Sequence, residues 1–368
     1  MSQQNILLQP DELIYKYRLI RKIDSGNFGQ VWLAKDNSID RDVAVKVLDA
    51  SKTSIDERLK EAQIGNQLEH SNLVKVLYAD VALYNGDKIV VIVMDYFENG
   101  SIIRKFNNRG FIPIPQAIKY LIDVLRGLEY LHEKNFLHGD IKPKNILIGS
   151  TGEGILTDYG ISCSAPDLIP VHDKGAYTLH IAPETLQQRQ ICVQTDIYQI
   201  GITAFRLLNG NASIKQIFEN VGEDQYFELV LSGNLIKPEN YLPFIPRNLK
   251  TILNKAIHVN PSKRYQSALQ MRRAFEHLKC PGYWTCDSNG NFEGINGKYI
   301  FRTQINQRKN GKFDFLVFKK NSLNGKETTA QKFCHNNLFE NQLEKISKEF
   351  MQQVVTGISL SERVWRER

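Results

Sequence analysis

His138-Gly139-Asp140-Ile141-Lys142-Pro143-Lys144-Asn145, followed after a short gap by Thr157-Asp158-Tyr159-Gly160, is the stretch on which the reading of this chain turns. Asp140 can accept a hydroxyl proton and Lys142 can neutralise a phosphoryl group in transit. Asn145 and Asp158 offer oxygen ligands to a magnesium ion bound to phosphates. Any one of these carboxylates alone would read as a solvated loop residue. Their order and spacing together ask for ATP- and magnesium-dependent phosphoryl transfer, with manganese as an alternative metal.

Upstream, Val43-Ala44-Val45-Lys46 puts a lysine into a strand pattern, where an ammonium needs an anion because a buried unpaired charge is costly. ATP phosphates can supply that anion, and so can Glu61. Glu61 falls in a helical pattern from Ile55 to Leu68, with Ile55, Leu59, Ala62 and Leu68 near one face. Earlier still, Ile23-Asp24-Ser25-Gly26-Asn27-Phe28-Gly29-Gln30-Val31 is a glycine-containing turn between two strands. Such a turn can fold over a nucleotide, although a hairpin without a ligand has the same composition.

Taken with these stretches, the sequence resembles the eukaryotic-type (Hanks-type) Ser/Thr protein kinases from about Tyr17 to Leu278. Ala182-Pro183-Glu184, the run Asp196 to Gly201, and Arg264 as a partner for Glu184 extend the resemblance. The Ala-Pro-Glu element matters because His-Gly-Asp also opens the catalytic loop of aminoglycoside and choline kinases, which lack it. Ile-Lys-Pro-Lys-Asn after the aspartate is similar to the loop of Ser/Thr rather than tyrosine kinases.

The resemblance implies an α+β bilobal fold, with a β-rich N-lobe over 17–94, a helical C-lobe over 98–278, and ATP between them. It implies Asp140, Lys142, Lys46 and Glu61 as catalytic groups. Ile23, Gly26, Phe28, Gly29, Val31, Ala44, Lys46, Met94, Asp95, Phe97, Asn145 and Asp158 would bind the nucleotide, and Asn145 and Asp158 the metal. Met94 would be the gatekeeper, and Asp95, Tyr96 and Phe97 the hinge. Ser or Thr on a protein would be the substrate, and autophosphorylation is expected. Other readings of the same residues are a nucleotide sensor or scaffold that transfers little phosphate, and a kinase that responds to nucleic acid through its tail.

Two positions depart from the family pattern. Asp24 stands where the first loop glycine usually is, and a carboxylate near phosphates weakens nucleotide binding unless it points away. Gly139 stands where an arginine would clasp a phosphate on the activation segment Asp158 to Glu184. Ser162, Ser164, Tyr177 and Thr178 are available hydroxyls there, with Lys174 nearby in sequence. These departures, and a compact chain, resemble bacterial members of the family.

The helical pattern of the C-lobe begins at Pro115, with Ile118, Leu121, Ile122, Leu125, Leu128 and Leu131 at helix-like intervals. Two short strands, Asn145 to Ile148 and Gly154 to Thr157, interrupt it. Cys280, Pro281 and Gly282 end the helices. From about 282 to 368 the pattern is a small α+β module, with strands at Lys298 to Ile305 and Phe313 to Lys319. A helix from Asn336 to Val355 follows, with Phe339, Leu343, Ile346 and Phe350 as its stripe. Residues 1–16 read as an N-terminal extension.

Of the net charge of +7, the residues from Cys280 onward carry +5, from 14 Lys and Arg against 9 Asp and Glu. The segment 298–333 interleaves nine basic residues with Tyr299, Phe301, Phe313, Phe315, Phe318 and Phe333. That mixture could serve an acidic protein or nucleic-acid partner, but alternating Phe is also what a half-buried sheet with a solvated basic face requires, and that is the preferred reading. Five scattered cysteines and no export pattern point to reduced thiols in a cytoplasm. Cys280, Cys286, Cys334 and His335 lack the paired short spacings of a zinc site. The longest apolar run, Ile89 to Met94, is far too short to span a membrane, so no membrane partner is expected.

Overall fold

The computed structural model describes residues 8–26, 29–49, 55, 59, 63, 65–106, 110–158, 163–172, 177–287 and 289–357. Glu61, Phe28, Ser162 and Lys174 lie outside the described residues, as does the side chain of Ser164.

The first lobe alternates apolar residues with a period of two along its strands, which form a six-stranded antiparallel sheet. The strands are β1 (Leu13–Ile14), β2 (Tyr17–Gly26), β3 (Gly29–Asp36), β4 (Arg41–Asp49), β5 (Val76–Tyr84) and β6 (Asp87–Asp95), ordered β1-β2-β3-β4-β6-β5. Along β4 the alternation separates two tasks. Val43, Val45 and Val47 are buried on one face with Leu19, Trp32, Val91 and Val93. Ala44, Lys46 and Leu48 take the other face. There Leu48 joins Val76, Val90 and Ile92 under Ile55 and Leu59 of the N-lobe helix, so that helix does lie on the sheet. The extension is not a loose leader where it is described: β1 pairs with β2, and Leu8 and Ile14 are buried in the lobe's core.

β2 and β3 meet at Gly26 and Gly29. Gly29 has φ 132°, and a Cβ on it would stand 2.1 Å from the Val47 carbonyl oxygen. Only glycine lets the hairpin lie this close to β4.

Pro113 opens the Ile114–Glu133 helix, whose buried face runs through Ala117, Leu121, Val124, Leu125, Leu128 and Leu131. It packs with the helices Val193–Asn209, Arg247–Ala256 and Ala268–Glu276 into a helical lobe. Between them run β7 (Phe136–Leu137), a 3-10 turn at Pro143–Asn145, β8 (Ile146–Ile148) and β9 (Gly154–Leu156). Three two-residue strands, β10 (Cys163–Ser164), β11 (Val171–His172) and β12 (Gln190–Ile191), follow. β10 pairs with β7, and β11 with β12.

The tail builds a second antiparallel sheet from β13 (Gly282–Cys286), β14 (Phe292–Asn296), β15 (Tyr299–Gln307), β16 (Phe313–Asn321), β17 (Glu327–Thr329) and β18 (His335–Leu338). The Glu340–Thr356 helix crosses it. Residues 336–338, expected to start that helix, belong to the strand β18 instead. They pair with β16, and the helix begins only after Phe339, whose N–H donates to Gln342 Oε1. Phe339 is exposed with Lys312 Nζ over its ring, so it leaves the apolar stripe, which is carried by Leu343, Phe350, Met351, Val354 and Val355.

Most of the tail's aromatics are spent on this core. Phe315 is fully buried, and Trp284, Phe301, Phe315 and Phe333 all meet Phe350 with ring centroids 5.1–6.2 Å apart. The sheet also shares one apolar cluster with the helical lobe. Phe292 packs against Phe111 and Phe244, and Gln352 Nε2 donates to the Pro243 carbonyl at 3.0 Å. Among the described residues no helix is long and apolar enough to cross a membrane, and no group of three His, Cys, Asp or Glu could hold a metal.

Candidate active site

A cleft of about 390 Å³ separates the two lobes. Its roof is the strand face that carries Ala44 and Lys46, with Ile23 and Val31 beside them; Met94, Asp95 and Phe97 form the back, and Leu147, Asn145 and Asp158 the floor. Gly26 and Gly29 sit at the hairpin end and do not line it. Asp140 and Lys142 lie next to the floor on the catalytic loop rather than in the cavity wall. Leu147 was not singled out from sequence; its signal is the alternation of β8, where Ile146 and Ile148 are buried on the opposite face.

The loop 138–145 is shaped by the Val193–Asn209 helix beneath it. Asp196, wholly buried, accepts from the backbone N–H of His138 at 3.0 Å and of Gly139 at 2.8 Å, and its carboxylate meets His132 Nε2 at 2.8 Å. Burial alone would push this carboxyl up, yet His132 and the backbone donors hold its pKa below the usual value. One turn on, Gln199 Nε2 donates to the Gly139 carbonyl and Gln199 Oε1 accepts from the Ile141 N–H. Gly139 has φ 77°, a backbone shape that glycine takes without strain. Thr203 Oγ1 and His180 Nδ1 both donate to the Ile141 carbonyl. His180 Nε2 then accepts from Arg206 Nη1 at 2.8 Å. Burial and the neighbouring guanidinium keep this ring neutral, well below its ordinary pKa.

On this base Asp140 is almost fully buried. Its Oδ2 accepts from Lys142 Nζ at 2.6 Å and from Asn145 Nδ2 at 3.1 Å, while Oδ1 has no hydrogen-bond partner among the described residues. Burial raises its pKa, and the Lys142 ammonium offsets only part of that. Asp158, at φ 71°, meets Lys46 Nζ at 2.9 Å. Burial would raise this carboxyl too, but the ammonium dominates and holds it at about 2.

Asp24, expected to face phosphates, is held by Lys144 Nζ at 2.7 Å and by the Ser25 N–H at 2.8 Å. Its charge is therefore compensated by the lysine between Pro143 and Asn145. Sequence reasoning gave Lys144 no role, because its partner lies 120 residues away. The hinge is tied to the upper lobe as well: Arg41 Nη2 donates to Asp95 Oδ1 at 2.7 Å, and Arg21 Nη2 to the Tyr96 hydroxyl at 3.0 Å. Below, Arg264 forms the expected paired contact with Glu184, both nitrogen-to-oxygen distances being 2.8 Å.

Residues 17–277 match the model of the protein kinase domain, and the chain belongs to the protein kinase family. It is 28% identical to the serine/threonine-protein kinase PrkC of Bacillus subtilis over 262 residues, which is 70% of this chain and 39% of that protein. It is 30% identical to the serine/threonine-protein kinase PknA of Mycobacterium tuberculosis, over 68% of this chain and 58% of that one. A plant relative, serine/threonine-protein kinase ATG1a of Arabidopsis thaliana, is 28% identical over 74% of this chain and 42% of its own length. The chain thus spans well under two thirds of the length of these relatives.

Proposed function

We propose that this chain transfers the γ-phosphoryl group of ATP to Ser or Thr hydroxyls of proteins. The observation that carries the reading is Asp140: a buried carboxylate with one unpartnered oxygen, beside Lys142 and across from the Lys46–Asp158 pair. Asp140 Oδ1 is available to accept the proton of an incoming hydroxyl, and its raised pKa makes it the stronger base. Lys142, already at its other oxygen, places positive charge where the transferred group would pass. Lys46 is fixed over the floor by Asp158 and can hold phosphates.

The residues present fit a divalent cation of the magnesium or manganese type, because Asn145 and Asp158 bring hard oxygen donors to one side of the cleft. That ion would offset phosphate charge, the chemistry it supplies across this family. At the back of the cleft the Asp95 N–H is given to the Lys75 carbonyl, so a nucleotide base would meet the Asp95 carbonyl and the Phe97 N–H. Relatives named as Ser/Thr kinases, and Lys142 at 2.6 Å from the base, support a hydroxyl on Ser or Thr as acceptor.

Incubation with labelled ATP and magnesium, a generic protein acceptor, and mapping of the modified residues tests the proposal. Phosphoserine and phosphothreonine that vanish in Asp140→Asn support it. Nucleotide binding without any transfer would instead support a sensor or scaffold.

A further inference from the structure

Tyr177, half-buried beside the catalytic loop, takes no part in the chemistry assigned to Asp140, Lys142 and Lys46. It precedes the turn Thr178–His180, and its carbonyl accepts from the His180 N–H at 2.8 Å. Buried groups of the helical lobe anchor that turn. The Tyr226 hydroxyl donates to the Leu179 carbonyl at 2.9 Å, and His180 bridges the Ile141 carbonyl and Arg206. The Tyr177 ring packs against the apolar core of the lobe, with its centroid 5.6 Å from that of the His180 ring. Arg206 belongs to the Val193–Asn209 helix, so the helix that shapes the loop 138–145 also steadies this ring.

Lys142 Nζ stands over the Tyr177 ring, 4.6 Å from the centroid, and 2.6 Å from Asp140 Oδ2. The lysine side chain is only 17% exposed, so water competes little for its ammonium, the condition under which a ring face holds a cation best. The two partners fare differently during transfer. When Asp140 takes the proton of the incoming hydroxyl, its negative charge is gone and its pull on Lys142 falls, just as the moving phosphoryl group needs that ammonium. The ring face carries a fixed quadrupole and keeps its attraction throughout. We propose that Tyr177 is a positioning residue in the phosphoryl transfer inferred for this cleft, a role that rests on that function: its ring holds the Lys142 ammonium in place after Asp140 has been neutralised. The ring suffices for this task, and the hydroxyl is not required.

Tyr177→Leu removes the ring and keeps an apolar side chain against the core, whereas Tyr177→Phe removes only the hydroxyl. With labelled ATP and a supplied peptide, Tyr177→Leu should lower kcat about 3- to 30-fold and leave the KM for ATP unchanged. Tyr177→Phe should rescue the rate to within about twofold of the parent protein. In a Lys142→Met background, Tyr177→Leu should cost no more than about twofold further, because the two residues act through one contact. A signal independent of turnover reads the contact itself. In protein carrying isotopically labelled lysine, the Lys142 ε-methylene protons, assigned with Lys142→Arg, should lie upfield under the Tyr177 ring current. That shift should vanish in Tyr177→Leu and persist in Tyr177→Phe. A parent protein that shows the shift but transfers no phosphate would overturn the transfer function, and the role with it, while leaving the contact standing. With transfer intact in the parent, an unshifted Lys142 signal, or equal losses from Tyr177→Leu with and without Lys142, overturns the proposal alone.

Discussion

Below the cleft, the backbone from His138 to Ile141 is met by Asp196, Gln199, Thr203 and His180, all buried and all on the helical lobe. Above it, the strands that carry the roof reach the lower lobe through Lys46–Asp158 and Asp24–Lys144, and water touches at least one member of each pair. Buried hydrogen bonds exclude competing water and fix a single geometry, whereas exposed ion pairs contribute little and are screened by salt. The lower bank is thus assembled by folding itself. The upper bank is tied down by one largely buried pair, Lys46–Asp158, and one exposed pair, Asp24–Lys144, which salt screens and a nucleotide can rearrange.

The largest effect should come from the group the lower bank exists to place. Asp140→Asn is expected to lower turnover by about 10²- to 10⁴-fold while leaving ATP affinity nearly unchanged, as measured by initial rates and calorimetry. Lys46→Met and Asp158→Asn should also remove activity, but with nucleotide affinity falling too, since both groups line the cleft. An equal loss of affinity in Asp140→Asn would erase the distinction.

Breaking the lower bank itself should cost stability. Asp196→Ala strands the N–H groups of His138 and Gly139 and the His132 ring, for a loss of about 3 kcal/mol or more in denaturant unfolding. A change below 1 kcal/mol would mean that other groups or water replace the carboxylate.

Acid should loosen the same bank. His180 is held neutral in the fold, with a pKa depressed from its ordinary 6.5. Its contribution is therefore complete above pH 6.5 and is lost as pH falls below it, because only the unfolded chain then takes up the proton. His180→Asn should flatten the fall in thermal midpoint between pH 7 and 5, and an unchanged slope would assign that fall to other groups.

The smallest effects belong to the exposed pair of the upper bank. Asp24 and Lys144 are both over one third exposed, so Lys144→Ala or Asp24→Ala should leave stability within about 1 kcal/mol. The apparent KM for ATP should shift by no more than about fivefold, and less at high salt. A large, salt-independent shift would make that pair part of the rigid frame.

What could be read from the chain follows the same division. Asp140, Asn145, Asp158 and Lys46 were legible because their chemistry is written in residue type and local order, and the Ile114–Glu133 helix because its apolar face repeats. The supports were not. Gln199 and His180 act on a loop about 40 to 60 residues away and look like ordinary helix and loop residues. Asp24 read as a liability until the fold brought Lys144 to it. In the tail, Asn336 and Asn337 carry no helix-breaking residue, yet pairing with β16 overrides the helical pattern, and Asn337 turns the chain at φ 60°. Phe292, which helps to join the tail to the helical lobe, was not singled out from sequence.

Buried bonds from the Val193–Asn209 helix position the loop 138–145, and Gly139 offers no guanidinium for a phosphate to engage. The direct test is the initial rate toward a supplied peptide before and after complete phosphatase treatment of the protein. The dephosphorylated protein is expected to keep most of its rate. A collapse of that rate, reproduced when Ser162, Ser164, Tyr177 and Thr178 are replaced together, would show that a phosphate on the activation segment orders the site, and would contradict it.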